Sequence, residues 1–428
     1  MKRIRVCVYP AQNECAVEIN NALSNCEGIE VFGVTSIRGH NEFNFKNYCF
    51  DMPDMESDAF VNAFESFLVK NKIDIVFPTT DGTAVFFAEH QKEFSALITT
   101  SDLFSVSLIN DKLKTFEFFK ESSFCPTIYS SFSHFPCFVK PIDGEGAKGA
   151  KLIENENDIP SGIDLEKNVI CEYLPGKEVT VDCLTDVQGK LVLVLPRERT
   201  RIFSGMCVKG ITMDETEEIR EIAEAINSKL SFKGLWFFQL KEDSSGKLKL
   251  LEISSRCGGT MCLSRAKGYN LPLLTVYTML GKEVAAVNNG FNVFLDRTLF
   301  ARYKVDLDYE TVYVDYDGTI VVKDSVCLET IRFLYQCKNA GKRIILITRH
   351  NEDHDDTVFE NMEKHGISKH LFEKIELLSF KQEKHSVITD KKSIFIDNSY
   401  SERLKVRENC GIPVFGVDGL DVLTDWRL

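Results

Sequence analysis

No stretch of about 18 consecutive apolar residues occurs in the chain, so no membrane-spanning helix and no membrane partner are expected. There is no surplus of positive charge either. Lys and Arg number 51 against 64 Asp and Glu, a formal net charge of −13. That balance excludes non-specific attachment to nucleic acid or anionic lipid, which needs basic surface. A local cluster of cations can still receive an anionic small molecule. None of the 14 cysteines forms a Cys-x-x-Cys pair or joins a Cys/His cluster. A zinc ribbon or dithiol redox motif is therefore excluded, and reduced, mostly buried thiols are expected. Lys2, Arg3 and Arg5 lead straight into a strand pattern with no apolar secretory segment, so the expected location is cytoplasmic. Internal repeats, low-complexity linkers and a G-x-x-x-x-G-K-[ST] phosphate loop are all missing.

What is present reads as several α/β units. A length of 428 residues predicts two to four domains, and 32 phenylalanines supply large side chains for their cores. From residue 1 to about 110, strands (Ile4 to Val8, Val31 to Val34, Ile73 to Phe77) alternate with helices (Ala16 to Cys26, Ala59 to Val69), the pattern of a parallel doubly wound sheet. Ligands of such sheets gather at the strands' carboxyl ends. The loop Pro78-Thr79-Thr80-Asp81 is therefore either part of a site or a turn capped by Asp81. From 111 to 305 the pattern changes to strand–loop–strand. Phe138 to Pro141 and Ala150 to Ile153 flank a polar loop containing Gly144, Gly146 and Gly149. Val169 to Tyr173 and Val179 to Cys183 are further strands. A helix over Glu217 to Leu230, with Asp214 and Glu217 as its capping pair, precedes an antiparallel pair, Leu235 to Leu240 and Leu248 to Ile253. From 306 to 428 strands and helices alternate again, with the boundary expected between Arg302 and Glu310.

The sharpest local signal is Val312-Tyr313-Val314-Asp315-Tyr316-Asp317-Gly318-Thr319. Two carboxylates two residues apart at a strand end point the same way, and burying both is costly unless a cation joins them. Mg²⁺ suits such an oxygen-rich site. The segment resembles the first motif of the haloacid dehalogenase superfamily, and other parts of residues 311 to 428 follow that family's order. The resemblance implies Asp315 as nucleophile on phosphorus and Asp317 as general acid and base. It also implies Thr348 as binder of a phosphoryl oxygen, Lys381 or Lys384 as the neutralising lysine, and Asp397 as a metal ligand with Asp315 and Asp317. Asn398 stands where a second acid is common, and Glu402 is the substitute. The short intervals from Thr319 to Leu328 and from Thr348 to Lys384 leave no room for a large cap. A capless site acting on a phosphorylated small molecule is expected.

The central region supplies the groups ATP requires: cations for phosphates, acceptors for adenine and ribose, and oxygen ligands for Mg²⁺ or Mn²⁺. Lys112, Lys140, the loop Asp143–Gly149 with Lys148, Glu172-Tyr173-Leu174, Glu178, Gln239, Glu252, Ser254 and Arg256 occur in that order. The order resembles the ATP-grasp superfamily, in particular the carbamoyl phosphate synthetase large chain and carboxylate–amine ligases, with residues 1–110 similar to its Rossmann-like pre-grasp domain and 111–305 to its α+β grasp domain. The resemblance implies phosphate binding by Lys112 and Lys140 under the loop carrying Gly144, Gly146 and Lys148. It implies that Glu172 faces the adenine amino group, that Tyr173 and Leu174 line the hinge, and that Glu178 binds ribose. Gln239, Glu252 and Ser254 would hold metal, and Arg256 would stabilise the transferring phosphoryl group. Arg197, Arg199 and Arg201 alternate on a strand and are read either as an anion reader or as a solvated face.

The resulting expectation is an ATP-dependent ligase joining a small carboxylic acid to an amine or amino acid, fused to a Mg²⁺-dependent phosphatase. Two alternatives remain at this level: a small-molecule kinase or carbamoyl-phosphate-synthase-like enzyme releasing a phosphorylated product, and an ATP-binding regulatory module. The oligomeric state, including a homo-oligomer, is left open.

Overall fold

The computed structural model describes residues 3–37, 39, 41–144, 149–285, 289–425 and 427. Gly146 and Lys148 of the expected phosphate loop lie outside these residues. The chain divides into a unit ending at Leu299 and a second covering Phe300–Arg427. Residues 1–110 pack with the region that follows them instead of standing apart, because they share a core. Val6, Val8, Ile19 and Phe77 lie in one apolar cluster with Leu184, Leu235, Met261 and Leu271.

The first unit opens with a parallel five-stranded sheet. Its spatial order is Asn47–Cys49, Ile29–Val34, Ile4–Tyr9, Ile75–Pro78, Leu97–Ile98. The central strands are apolar almost throughout because helices cover both faces. Tyr9, Phe60, Phe64, Phe87 and Phe94 form an aromatic cluster on one side. Helix Asp81–Glu89 is capped by Thr80, whose hydroxyl accepts from the Thr83 amide; Asp81 is the first helical residue, not the cap. Its side chain is thereby freed for other partners.

Two antiparallel sheets follow. The smaller has the order Ile128–Tyr129, Asn168–Glu172, Cys137–Pro141, Lys151–Ile153. The larger runs Leu248–Ser254, Gly234–Glu242, Glu178–Thr185, Leu191–Phe203, Met206–Thr212, Phe294–Asp296. Helix Glu217–Lys229 covers it through Ile219, Ile222, Ala223 and Ile226. Its cap is Thr216, which is nearer the first turn than the expected Asp214. Trp236 sits buried in this core, stacked on Phe232.

The second unit is a parallel five-stranded sheet in the order Lys374–Leu377, Arg343–Thr348, Thr311–Val314, Ser393–Ile396, Val414–Phe415. Its three middle strands are buried along nearly their whole length. Between Thr319 and helix Leu328–Asn339 there is only a small hairpin, turned by Lys323 and Asp324, both at positive φ. Among the described residues no helix is long and apolar enough to cross a membrane. The cysteines are free thiols, most of them buried.

The aromatic cluster yields a direct test. Phe64 is fully buried and Phe294 is 77% exposed at a sheet edge. Phe64→Ala should lower unfolding free energy by about 3–5 kcal/mol, the usual cost of emptying a buried aromatic site. Phe294→Ala should change it by less than about 0.5 kcal/mol. Equal losses in denaturant titrations would contradict this packing.

Candidate active sites

The cleft of the first unit lies between its two antiparallel sheets. Lys112, Lys140, Gly144, Glu172, Tyr173, Leu174, Glu178, Arg199, Gln239, Lys241 and Glu252 all line it. Lys140 rises from strand Cys137–Pro141 and reaches the other sheet, where its Nζ donates to the Leu251 carbonyl at 3.0 Å. The ammonium also lies 4.8 Å from the Phe116 ring centre. Lys140 is only 8% exposed, and no ion pair joins it to a carboxylate among the described residues. Burial accordingly pulls its pKa below the ordinary lysine value. Lys112 begins helix Lys112–Phe118 and donates to the carbonyl of the loop's first glycine, Gly144, at 2.9 Å.

Opposite the lysines, Gln239 and Glu252 are cross-strand partners in the antiparallel register. Their side chains both face the cleft, as the two-residue period of a strand requires. Arg199 spans this wall. One of its nitrogens donates to Glu178 at 2.5 Å and to Gln239 at 2.8 Å. Glu178 also lies 3.7 Å from Lys241. Glu172 lines the cleft with one oxygen already accepting the Thr127 amide at 2.7 Å.

Two residues expected in this cleft lie elsewhere. Ser254 is buried, and its hydroxyl donates to Asp81 at 2.5 Å. That hydroxyl is committed, so its expected metal-ligand role is not what the geometry supports. Arg256 donates to the same Asp81 at 3.0 Å. It lines an adjoining cavity with Asn13, Glu14, Thr79, Arg197, Thr260 and Arg297. Arg199, Gln239 and Glu252 line both cavities, so the two spaces meet at that wall.

Of the three alternating arginines, Arg197 and Arg199 face the cavities and Arg201 is exposed. Arg197 is fully buried and makes a two-pronged ion pair with Asp182 at 2.9 Å. Ser264 donates to the same carboxylate at 2.7 Å. Asp182 and Thr260 escaped the sequence reading. The available signal was a lone acid inside the apolar strand Glu178–Thr185, a position that requires a buried cation.

In the second unit Asp315, Thr348 and Asp397 sit at or just beyond the carboxyl ends of three adjacent parallel strands. Lys384 Nζ lies 2.6 Å from Asp315 and 2.7 Å from Asp397. Lys381 is exposed, so Lys384 is the lysine of this cluster. One ammonium thus faces two buried carboxylates. Burial first, then the neighbouring Asp397 charge, pushes the Asp315 carboxyl up to about 7. Asp317 is half-buried and accepts from Thr348, and its other oxygen lies 2.8 Å from His350 Nδ1. Gly318 has φ +74° and passes so close to Asn398 that any Cβ would meet its amide at 2.3 Å. The left-handed φ and this close approach make any side chain here strained. Glu402 lies 3.5 Å from Arg349 through one oxygen, while its other oxygen is buried without a hydrogen-bond partner among the described residues.

Residues 164–295 match the family model described as "ATP-grasp in the biosynthetic pathway with Ter operon". A D-alanine–D-alanine ligase of Fusobacterium nucleatum is 29% identical over 168 residues, 34% of this chain and 57% of the relative. A carbamoyl phosphate synthase large chain of Clostridium perfringens is 24% identical over 180 residues, 39% of this chain and 17% of that protein. The chain thus spans about half of the ligase and about a sixth of the synthase. Among solved structures, N5-carboxyaminoimidazole synthetase of Staphylococcus aureus complexed with ADP aligns with a TM-score of 0.55 at 17% identity, over 67% of this chain and 79% of its own. The L-amino acid ligase of Bacillus licheniformis aligns with a TM-score of 0.53 at 15% identity, over 65% and 75%. The solved-structure likenesses support a mixed α/β fold like that of ATP-grasp proteins, and the sequence likeness to that family covers the central region of the chain.

The buried aspartate gives a prediction with a defined sign. A carboxyl with its pKa raised on folding binds its proton more tightly in the native state, so its contribution to stability falls as pH rises from about 4 through about 7. In metal-free buffer, Asp315→Asn should therefore raise the unfolding midpoint of the second unit clearly more at about pH 8 than at about pH 5. An equal difference at both values would refute the buried-charge account.

Proposed function

We propose that the first unit is an ATP-dependent carboxylate–amine ligase working through an acylphosphate, and that the second is a Mg²⁺-dependent phosphatase of the haloacid dehalogenase type. The observation that carries the ligase reading is Lys140, a buried cation facing a cleft with no carboxylate partner among the described residues. Such a charge is costly unless an anion completes it, and nucleotide phosphates are the anions suited to a cleft with Lys112 beside it.

In this reading Lys112 and Lys140 hold the phosphates beside the loop Asp143–Gly149. Tyr173 and Leu174 line the base's pocket, Glu172 accepts from the adenine amino group, and Glu178 accepts from ribose once Arg199 yields. Gln239 and Glu252 present oxygen donors side by side, a set suited to Mg²⁺ or Mn²⁺. A metal held there would neutralise phosphate charge. The acid occupies the adjoining arginine-lined cavity. Its carboxylate oxygen attacks the γ-phosphorus, ADP leaves, and Arg256 faces the phosphoryl group in transit. The amine then attacks the acyl carbon, expelling phosphate and leaving an amide. Positioning and charge neutralisation supply most of the rate.

In the second unit Asp315 would attack phosphorus and Asp317 would protonate the leaving oxygen. Asp317 would then take a proton from the water that hydrolyses the aspartyl-phosphate. Lys384 and Thr348 would bind phosphoryl oxygens. Asp315 and Asp397, with Glu402 nearby, carry more negative charge than Lys384 cancels and so fit a divalent cation.

The test is ADP release by Asp315→Asn protein against pooled carboxylic acids and amino acids. Release requiring both an acid and an amine is expected. Lys140→Ala should cut it at least about 100-fold, the scale for losing one preorganised charge at a developing anion. Release with a single substrate would replace the ligase by a kinase. Absence of both turnover and ATP binding would remove the ATP-grasp assignment.

A further inference from the structure

Beside the aspartate cluster of the second unit, three possible ligand atoms from Asp317, His350 and His354 lie within 4.8 Å of one another. His350 is 1% exposed. Its Nδ1 is 2.8 Å from Asp317 Oδ1, and His354 Nε2 is 3.4 Å from the same oxygen. The two imidazoles stack with centres 4.3 Å apart. A tetrahedral ion with ligands at about 2.0–2.1 Å sets neighbouring donors about 3.4 Å apart. The Asp317–His354 separation already has that value, and the Asp317–His350 pair needs to open by about half an ångström.

A second, independent feature points to a metal. The far nitrogen of His350, Nε2, faces Asp356 Oδ1 at 3.2 Å. Asp356 accepts from Asn361 at 2.8 Å, and Asn361 accepts from the buried Tyr316 hydroxyl at 3.0 Å. A carboxylate behind a histidine fixes its tautomer and increases the basicity of the other nitrogen, the arrangement that supports metal-ligating histidines. Two nitrogens and one carboxylate oxygen suit Zn²⁺ or a similar transition ion, whereas Mg²⁺ prefers all-oxygen surroundings.

We infer that Asp317, His350 and His354 form a three-ligand transition-metal site, with Asp356 as the carboxylate behind His350. Resting on the phosphatase reading, occupancy would engage the Asp317 oxygen needed for proton transfer, so Zn²⁺ would inhibit the hydrolysis that Mg²⁺ supports. The structure thus assigns two cation preferences to adjacent groups: oxygen ligands at Asp315 and Asp397, mixed ligands at Asp317.

The experiment titrates metal-free full-length protein with Zn²⁺ against a chromogenic chelator. His354 is half-exposed on a short surface turn, so His354→Ala is a mild substitution. Wild type should bind one Zn²⁺ that His354→Ala binds at least about ten-fold more weakly. Co²⁺ in the same site should show d–d bands without thiolate charge transfer. Indistinguishable titrations, or a thiolate spectrum abolished by cysteine alkylation, would overturn the site. p-Nitrophenyl phosphate hydrolysis in Mg²⁺, scaled to each protein's own rate, should lose more to Zn²⁺ in wild type than in His354→Ala. If the Zn²⁺ site is found and no hydrolysis occurs under any metal, the metal site stands and the phosphatase reading falls.

Discussion

A charged side chain can be buried only where something completes it, and that constraint organises the first unit. Lys140 crosses from the smaller antiparallel sheet to the Leu251 carbonyl of the larger one. This places an ammonium in the floor of the cleft beside a backbone oxygen and the Phe116 ring, with no ion pair to a carboxylate among the described residues. Residues around it are balanced internally: Arg197 by Asp182, Arg199 by Glu178, Arg256 by Asp81. The arginines have carboxylate partners, and among the described residues Lys140 has none.

The second unit shows the same constraint with opposite sign. There two buried carboxylates share one lysine. The elements explain why these charges meet. Parallel strands buried on both faces have their open ends at the carboxyl side, and Asp315, Thr348 and Asp397 follow three neighbouring strands there. Gly318 permits the turn that brings Thr319 back against Asp315 and Asn398.

Much of this was legible in the sequence, and the limits have physical causes. Apolar runs located the three inner strands of each parallel sheet but not the short edge strands Asn47–Cys49, Leu97–Ile98, Lys374–Leu377 and Val414–Phe415, and the Asp315/Asp317 spacing marked a strand end. Boundaries moved by a residue or two where caps decide them, as at Thr80 and Thr216, because neighbouring Ser, Thr and Asp residues compete for the same amides. The choice between Lys381 and Lys384 depended on burial, which spacing alone does not encode. Ser254 read as a ligand from its place between Glu252 and Arg256, yet its partner is Asp81, 173 residues away in sequence. Pairings of that range, like His350 with Asp317, have no local signature. The shared core that joins residues 1–110 to the following region was hidden for the same reason.

The central claim is that the first unit activates a carboxylate by phosphorylating it. The most direct test is oxygen transfer: once the acid substrate is in hand, it is supplied with ¹⁸O in its carboxylate, and the released phosphate is examined by mass spectrometry. One ¹⁸O atom per phosphate formed is the result expected of an acylphosphate. Phosphate free of ¹⁸O, produced together with amide, would contradict the account.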